Sequence, residues 1–162
     1  MNPTSSIHNA AAQGFQIAAT AYERGRPEYP QEAVHFLLET LDISPEKTVL
    51  DLGAGTGKFT RLLTCAGAKL IAVEPVEGMR RQFSSLLPGI EIMFGTAESI
   101  PLASASVDVV LVAQAFHWFQ GKSSLQEIHR VLKPGGWLGL IWNVRDESVE
   151  WVISLWLCKR LG

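Results

Sequence analysis

The sequence predicts a doubly wound α/β domain with about five parallel strands in one sheet and helices on both faces. Three observations lead there. Short apolar runs alternate with one-faced helical patterns from residue 48 onward. The runs carry little polar alternation, as strands buried on both faces require. A glycine-dense turn, DLGAGTG, joins the first run to the helix behind it. At 162 residues the chain is expected to form one domain with a real core.

The elements follow in order. Residues 1–14 are small and polar and are expected to be loosely ordered. A short helix is expected over 16–24, before the Gly- and Pro-broken segment GRPEYP. Pro30 suits a first helical position, and Val34, Leu37, Leu38 and Leu41 then recur on one helix face, ended by Pro45. TVLDL (48–52) reads as the first strand. Phe59, Leu62, Leu63 and Ala66 mark the next helix face, with Gly67 as its stop. KLIAVE (69–74) is the second strand, and Val76, Met79, Phe83, Leu86 and Leu87 form a further helix. IEIMF (90–94) and VDVVLVA (107–113) are the third and fourth strands. Ser124 and Glu127 have capping-box spacing ahead of Leu125, Ile128, Val131 and Leu132, and Lys133–Gly136 should break that helix. WLGLIW (137–142) is the fifth strand.

Beyond it, Val149, Val152, Ile153 and Trp156 are helically spaced, so an atypical apolar helical tail is expected over 147–162. The fifth strand would then be an unprotected edge, open to self-association.

Composition narrows the function classes. The net charge is −2 with no basic run, which argues against a nucleic-acid partner. The two cysteines, Cys65 and Cys158, lack CxxC spacing and the four histidines do not cluster, so no metal site is expected. Reduced thiols are the default in such a chain. The N-terminus has no cationic segment followed by an apolar one, and no apolar run approaches the ~18 residues that span a bilayer. A soluble, cytoplasmic protein is expected.

The loop DLGAGTG admits three ligand classes. A phosphate-binding loop of the form GxxxxGK[ST] would need glycine at Leu52 and a hydroxyl at Phe59, and both positions fail. A dinucleotide fingerprint would need its third glycine at Lys58. Asp51 at the strand end would repel a pyrophosphate but suit a ligand with an ammonium group. S-adenosylmethionine has that ammonium, a sulfonium and no phosphate.

At this point VLDLGAGTGKFT resembles the first motif of the class I S-adenosylmethionine-dependent methyltransferases. AVEP, GTAESIPLASASVDVV and IHRVLKPGGWLGL match later segments of that family in register, so the resemblance covers roughly residues 20–145. YERGRPEYP and AQAFHWF look most like the small-molecule branch similar to trans-aconitate methyltransferase. The resemblance implies a Rossmann-like fold over 15–146, lacking the family's usual last two strands.

It also implies the site. Asp51, Gly53, Ala54, Gly55 and Gly57 would cradle the methionine end. Glu74, followed by Pro75 and Met79, would bind the ribose hydroxyls. Thr96, Ala97 and Glu98 would line the adenine. Tyr22 and Arg26 would fold over the methionine end, and Arg26 could grip a carboxylate bidentately. Gln114 and Trp118 would border cofactor or substrate. His117 lies after the fourth strand, at the edge where ligands bind in such sheets, and is the candidate base. Its aromatic neighbours Phe116, Trp118 and Phe119 equally suit a packed wall. Base-amino methyltransferases often carry [ND]PP[YF] here, where this chain reads AQAF, so the expected acceptor is a small molecule; a carboxylic acid is one candidate. The alternative is a truncated, catalytically silent chain that binds cofactor or associates through its edge.

Overall fold

The computed structural model describes residues 29–144 and 152–158. The expected disorder over 1–14, the helix over 16–24, and Tyr22 and Arg26 lie outside the described residues.

A six-stranded sheet has the order β3-β2-β1-β4-β5-β6. Strands β1 (Thr48–Leu52), β2 (Lys69–Val73), β3 (Glu91–Met93), β4 (Val107–Ala113) and β5 (Leu132–Val144) run parallel. Their carboxyl ends therefore meet along one edge. The order reverses direction at β1, between β2 and β4, which opens a crevice at that edge.

Helices α1 (Gln31–Thr40), α2 (Thr60–Leu63), α3 (Glu77–Leu86) and α4 (Gly121–Val131) flank the sheet. Alternation along β1 and β4 builds a core on each face. Val49, Val109 and Leu111 pack with Leu37 of α1, with Leu41 just past it, and with Phe59 and Leu63. Leu50, Leu52, Val110 and Val112 pack with Ile128 and Val131 of α4. Gly139 on β5 lets α1 lie close, since a Cβ there would meet Leu111 at 2.6 Å and Leu41 at 3.2 Å.

Several boundaries differ from expectation. Pro30 stands just outside α1 in an extended conformation (φ −56°, ψ 138°), because the helix starts at Gln31. Gly67 ends the turn after α2 with φ 69°, as its position predicts. Ser124 and Glu127 do not form a capping box. Helix α4 begins earlier, at Gly121, so Ser124 sits within its first turns and bonds back to the Gln120 and Gly121 carbonyls. Lys133–Gly136 is a bulge within β5, because Val107 pairs with Leu132 while Val109 pairs with Trp137.

The largest correction concerns the tail. Val152–Cys158 is a strand, β6, paired antiparallel to β5 from Leu138↔Cys158 to Val144↔Val152. The expected apolar helix is wrong, and so is the open edge on β5. A sheet edge offers a row of unpaired backbone donors and acceptors, and a seven-residue, mostly apolar run with the strand formers Val152, Ile153 and Trp156 satisfies it better than a helix can.

Candidate functional site

The site grows out of the β1 end. Asp51 is the fourth residue of β1 and is 1% exposed, on the α1 face of the sheet. Its Oδ2 accepts a 2.5 Å hydrogen bond from the Thr60 hydroxyl on α2. Its Oδ1 is buried and, among the described residues, has no partner. Burial raises the carboxyl from 3.8 to about 7; the Thr60 bond opposes the shift and the nearby Glu74 charge adds to it. A buried acceptor left unpaired costs about 1–3 kcal/mol, and a donor from a molecule in the cleft would remove that cost.

The loop that follows is shaped by its glycines. Gly57 (φ +86°) packs so close to α3 that a Cβ would stand 2.7 Å from both Phe83 and Leu87. Gly55 (φ +57°) is different, because a Cβ there would meet nothing within 4 Å. Its flank is open, so backbone is free to approach a ligand.

Glu74, just past β2, ties this loop down. Its Oε2 accepts from Gly55 N and its Oε1 from Val76 N, both at 2.9 Å. Each oxygen keeps a lone pair for a further donor, which suits two ribose hydroxyls. Burial raises its carboxyl above the ordinary range, against the pull of the two amides. Arg80 holds the strand end by donating to the Glu74 and Pro75 carbonyls, at 2.8 and 2.7 Å. Pro75 itself is exposed and Met79 is buried on α3.

The loop after β3 is braced on α4. Glu98 Oε1 accepts from the Gln120 amide at 2.8 Å, ahead of the helix. Arg130 donates to the Ile100 and Leu102 carbonyls and pairs with Glu127, which accepts from the Ile100 amide. Thr96 pairs with Ser99 across the turn, and Ala97 is buried beneath it. These contacts bring Thr96, Ala97 and Glu98 into one fixed loop at the carboxyl edge.

Past β4, Gln114 adopts φ 58°, unusual for a side-chain-bearing residue, and its amide donates to the Ile141 carbonyl at 2.8 Å. A 3₁₀ turn, Phe116–Trp118, follows. Phe116 meets Phe119 and Trp142 edge-to-face, at 5.7 and 6.4 Å between centroids. His117 is exposed, packs against Trp118 at 4.9 Å, and is not one of the residues lining the cleft. Trp118 is 37% exposed.

Asp51, Gly53, Ala54, Gly55 and Gln114 line one cleft together with Tyr29, Lys58, Ala113 and Asn143. Tyr29 and Asn143 escaped the sequence reading. Tyr29 was legible only within GRPEYP, and no local signal marks Asn143, which reaches the cleft through β5 register. Asn143 Oδ1 is also buried and, among the described residues, unpartnered. Among those residues no group of His, Cys, Asp and Glu could hold a metal ion, and no helix is long and apolar enough to cross a membrane.

Comparison with known proteins accords with this geometry. The family profile described as "Methyltransferase domain" matches residues 50–140, from β1 into β5. The chain belongs to the class I methyltransferase family. An uncharacterized methyltransferase of Mycobacterium bovis is 50% identical over 141 residues, covering 87% of this chain and 56% of the relative. The malonyl-[acyl-carrier protein] O-methyltransferase of Methylococcus capsulatus is 42% identical over 98 residues, 57% of this chain and 36% of the relative. Among solved structures, the YcgJ protein of Bacillus subtilis matches with a TM-score of 0.65 at 26% identity, over 74% of this chain and 53% of that one. A SAM-dependent methyltransferase from Aquifex aeolicus matches with a TM-score of 0.63 at 25% identity, over 70% and 65%. This methyltransferase chain spans about half the length of the curated relatives it matches.

Proposed function

We propose that this chain binds S-adenosylmethionine along the carboxyl edge of β1, β2 and β4 and transfers its methyl group to a small-molecule acceptor. One observation carries the reading: Asp51, whose Oδ1 is a buried acceptor unpartnered among the described residues, lines the same cleft as Gly55, whose flank is open. An ammonium group supplies the hydrogen bonds that this oxygen lacks, and its charge favours the ionised carboxylate.

Glu74 would hold both ribose hydroxyls while its amide bonds keep the glycine loop in place. The braced loop carrying Thr96, Ala97 and Glu98 would border the adenine. Tyr22 and Arg26 would close over the methionine end. When bound, the cofactor supplies a methyl group already activated on a sulfonium. The protein then has to orient, exclude water and hold the acceptor in line. His117 and Trp118 sit on the exposed turn beside this edge, where His117 would serve acceptor entry or proton removal.

The preferred acceptor class is a small carboxylic acid, in the branch similar to trans-aconitate methyltransferase. The Methylococcus relative, named for methylation at oxygen, supports an oxygen acceptor. Titration calorimetry with S-adenosylmethionine, beside a methyl-transfer assay over small carboxylic acids, tests the reading. Binding with turnover is the expected result; absence of binding would sink the cofactor assignment, and binding without turnover the catalytic one.

A further inference from the structure

The proposed cofactor contacts leave Asn143 unused. Its Oδ1 is buried in the cleft wall and unpartnered among the described residues. An amide oxygen only accepts, so its partner must bring an N–H or O–H.

Strand order says which molecule brings it. Glu74, Asp51, Gln114 and Asn143 stand at the carboxyl ends of β2, β1, β4 and β5, which are neighbours in that sequence. Adjacent strands lie about 4.8 Å apart, so the row from Glu74 to Asn143 spans roughly 14 Å. Asn143 also stands further out. Asp51 pairs with Leu111 and Leu111 with Gly139, which puts Asn143 four residues beyond the level of Asp51. At ~3.3 Å per residue that offset is about 13 Å along the strand. One ammonium cannot reach both oxygens. A cofactor with its ribose on β2 and its ammonium on β1 turns its remaining side toward β4 and β5.

We infer that Asn143 Oδ1 receives an N–H or O–H from the methyl acceptor, which makes Asn143 a specificity determinant for acceptors bearing a hydroxyl or amine at, or next to, the receiving atom. This rests on the cofactor reading above. This narrows the small-carboxylic-acid class proposed above: a bare carboxylate only accepts and leaves this oxygen unpaired. An acid that carries a hydroxyl or amine satisfies it.

The test needs no known acceptor. Sinefungin carries an amine-bearing carbon where the cofactor carries its sulfonium methyl, while S-adenosylhomocysteine presents no donor there. Both are titrated calorimetrically into wild type, Asn143→Leu and Asn143→Asp. Wild type should prefer sinefungin by about tenfold or more, the scale of one hydrogen bond to a charged group. Asn143→Leu should reduce the preference to about twofold or less, with S-adenosylhomocysteine affinity unchanged. Asn143→Asp should keep or enlarge it, and it carries the test if the leucine variant folds poorly. Equal binding of the two ligands by wild type, or an undiminished preference in Asn143→Leu, overturns the inference. Failure of wild type to bind S-adenosylhomocysteine at all removes the cofactor reading, and this inference with it.

Discussion

The Thr60 hydroxyl occupies one oxygen of Asp51, a residue of the cleft wall, at 2.5 Å and leaves the other buried and, among the described residues, unpaired. That division lets a buried carboxylate be both fixed in orientation and available. It also makes Asp51 costly to the unliganded fold. Its carboxyl titrates near 7 when folded and near 3.8 when unfolded, so from about pH 4 to 7 the folded chain holds the extra proton. Stability contributed by this group therefore falls as pH rises through that window. Above it the cost is about 4 kcal/mol, at 1.36 kcal/mol per pH unit.

Asp51→Asn should consequently raise the melting temperature at pH 8 while abolishing tight S-adenosylmethionine binding, a loss of about a hundredfold or more. Calorimetry and thermal unfolding on the same sample check both halves. A variant that binds normally would disprove the ammonium role of Asp51.

Cofactor binding should be linked to protons. An ammonium at Asp51 Oδ1 pulls its carboxyl down from about 7, so a proton leaves on binding and affinity rises from pH 6 to 7.5. Affinity should fall again once the ligand's own α-amino group deprotonates, near ~8. Calorimetry at pH 6.5 in buffers of differing ionisation enthalpy counts the released proton.

Two glycines of one loop should respond oppositely to alanine. Gly57→Ala drives a Cβ to 2.7 Å from Phe83 and Leu87, and should destabilise by about 2–4 kcal/mol. Gly55→Ala meets open space and should cost only about 1 kcal/mol of backbone strain, yet weaken S-adenosylhomocysteine binding at least about tenfold. Chemical denaturation and calorimetry separate the two effects.

Arg130 joins α4 to the loop after β3 through the Ile100 and Leu102 carbonyls and through Glu127. Arg130→Ala should cost about 1–2 kcal/mol, less than a fully buried pair because the side chain is 33% exposed. Hydrogen exchange should accelerate over residues 96–102 and stay unchanged in β1. Uniform acceleration would mean that Arg130 supports the whole domain and not this loop.

The sequence made most of this architecture legible because apolar runs and turn residues are local signals. TVLDL and VDVVLVA became β1 and β4 at the expected bounds. The tail misled because a short apolar run satisfies helical and strand spacing alike, and only the vacant side of β5 decides between them. Ser124 and Glu127 had capping-box spacing, but Glu127 serves Ile100 and Arg130, a partnership across 27 residues of chain. Asp51, Gly53, Gly55 and Gln114 were readable from motif spacing and share one cleft. Asn143 joins them only through strand order, which no local pattern encodes.

The antiparallel course of β6 also decides where the chain can be handled. Val152 pairs with Val144 at the cleft edge, whereas Cys158 pairs with Leu138, midway along β5. A fluorophore, affinity handle or surface tether carried at Cys158 would thus stand about 20 Å along β6 from the cleft edge. Immobilised in that orientation, the protein would present its ligand edge outward to solution.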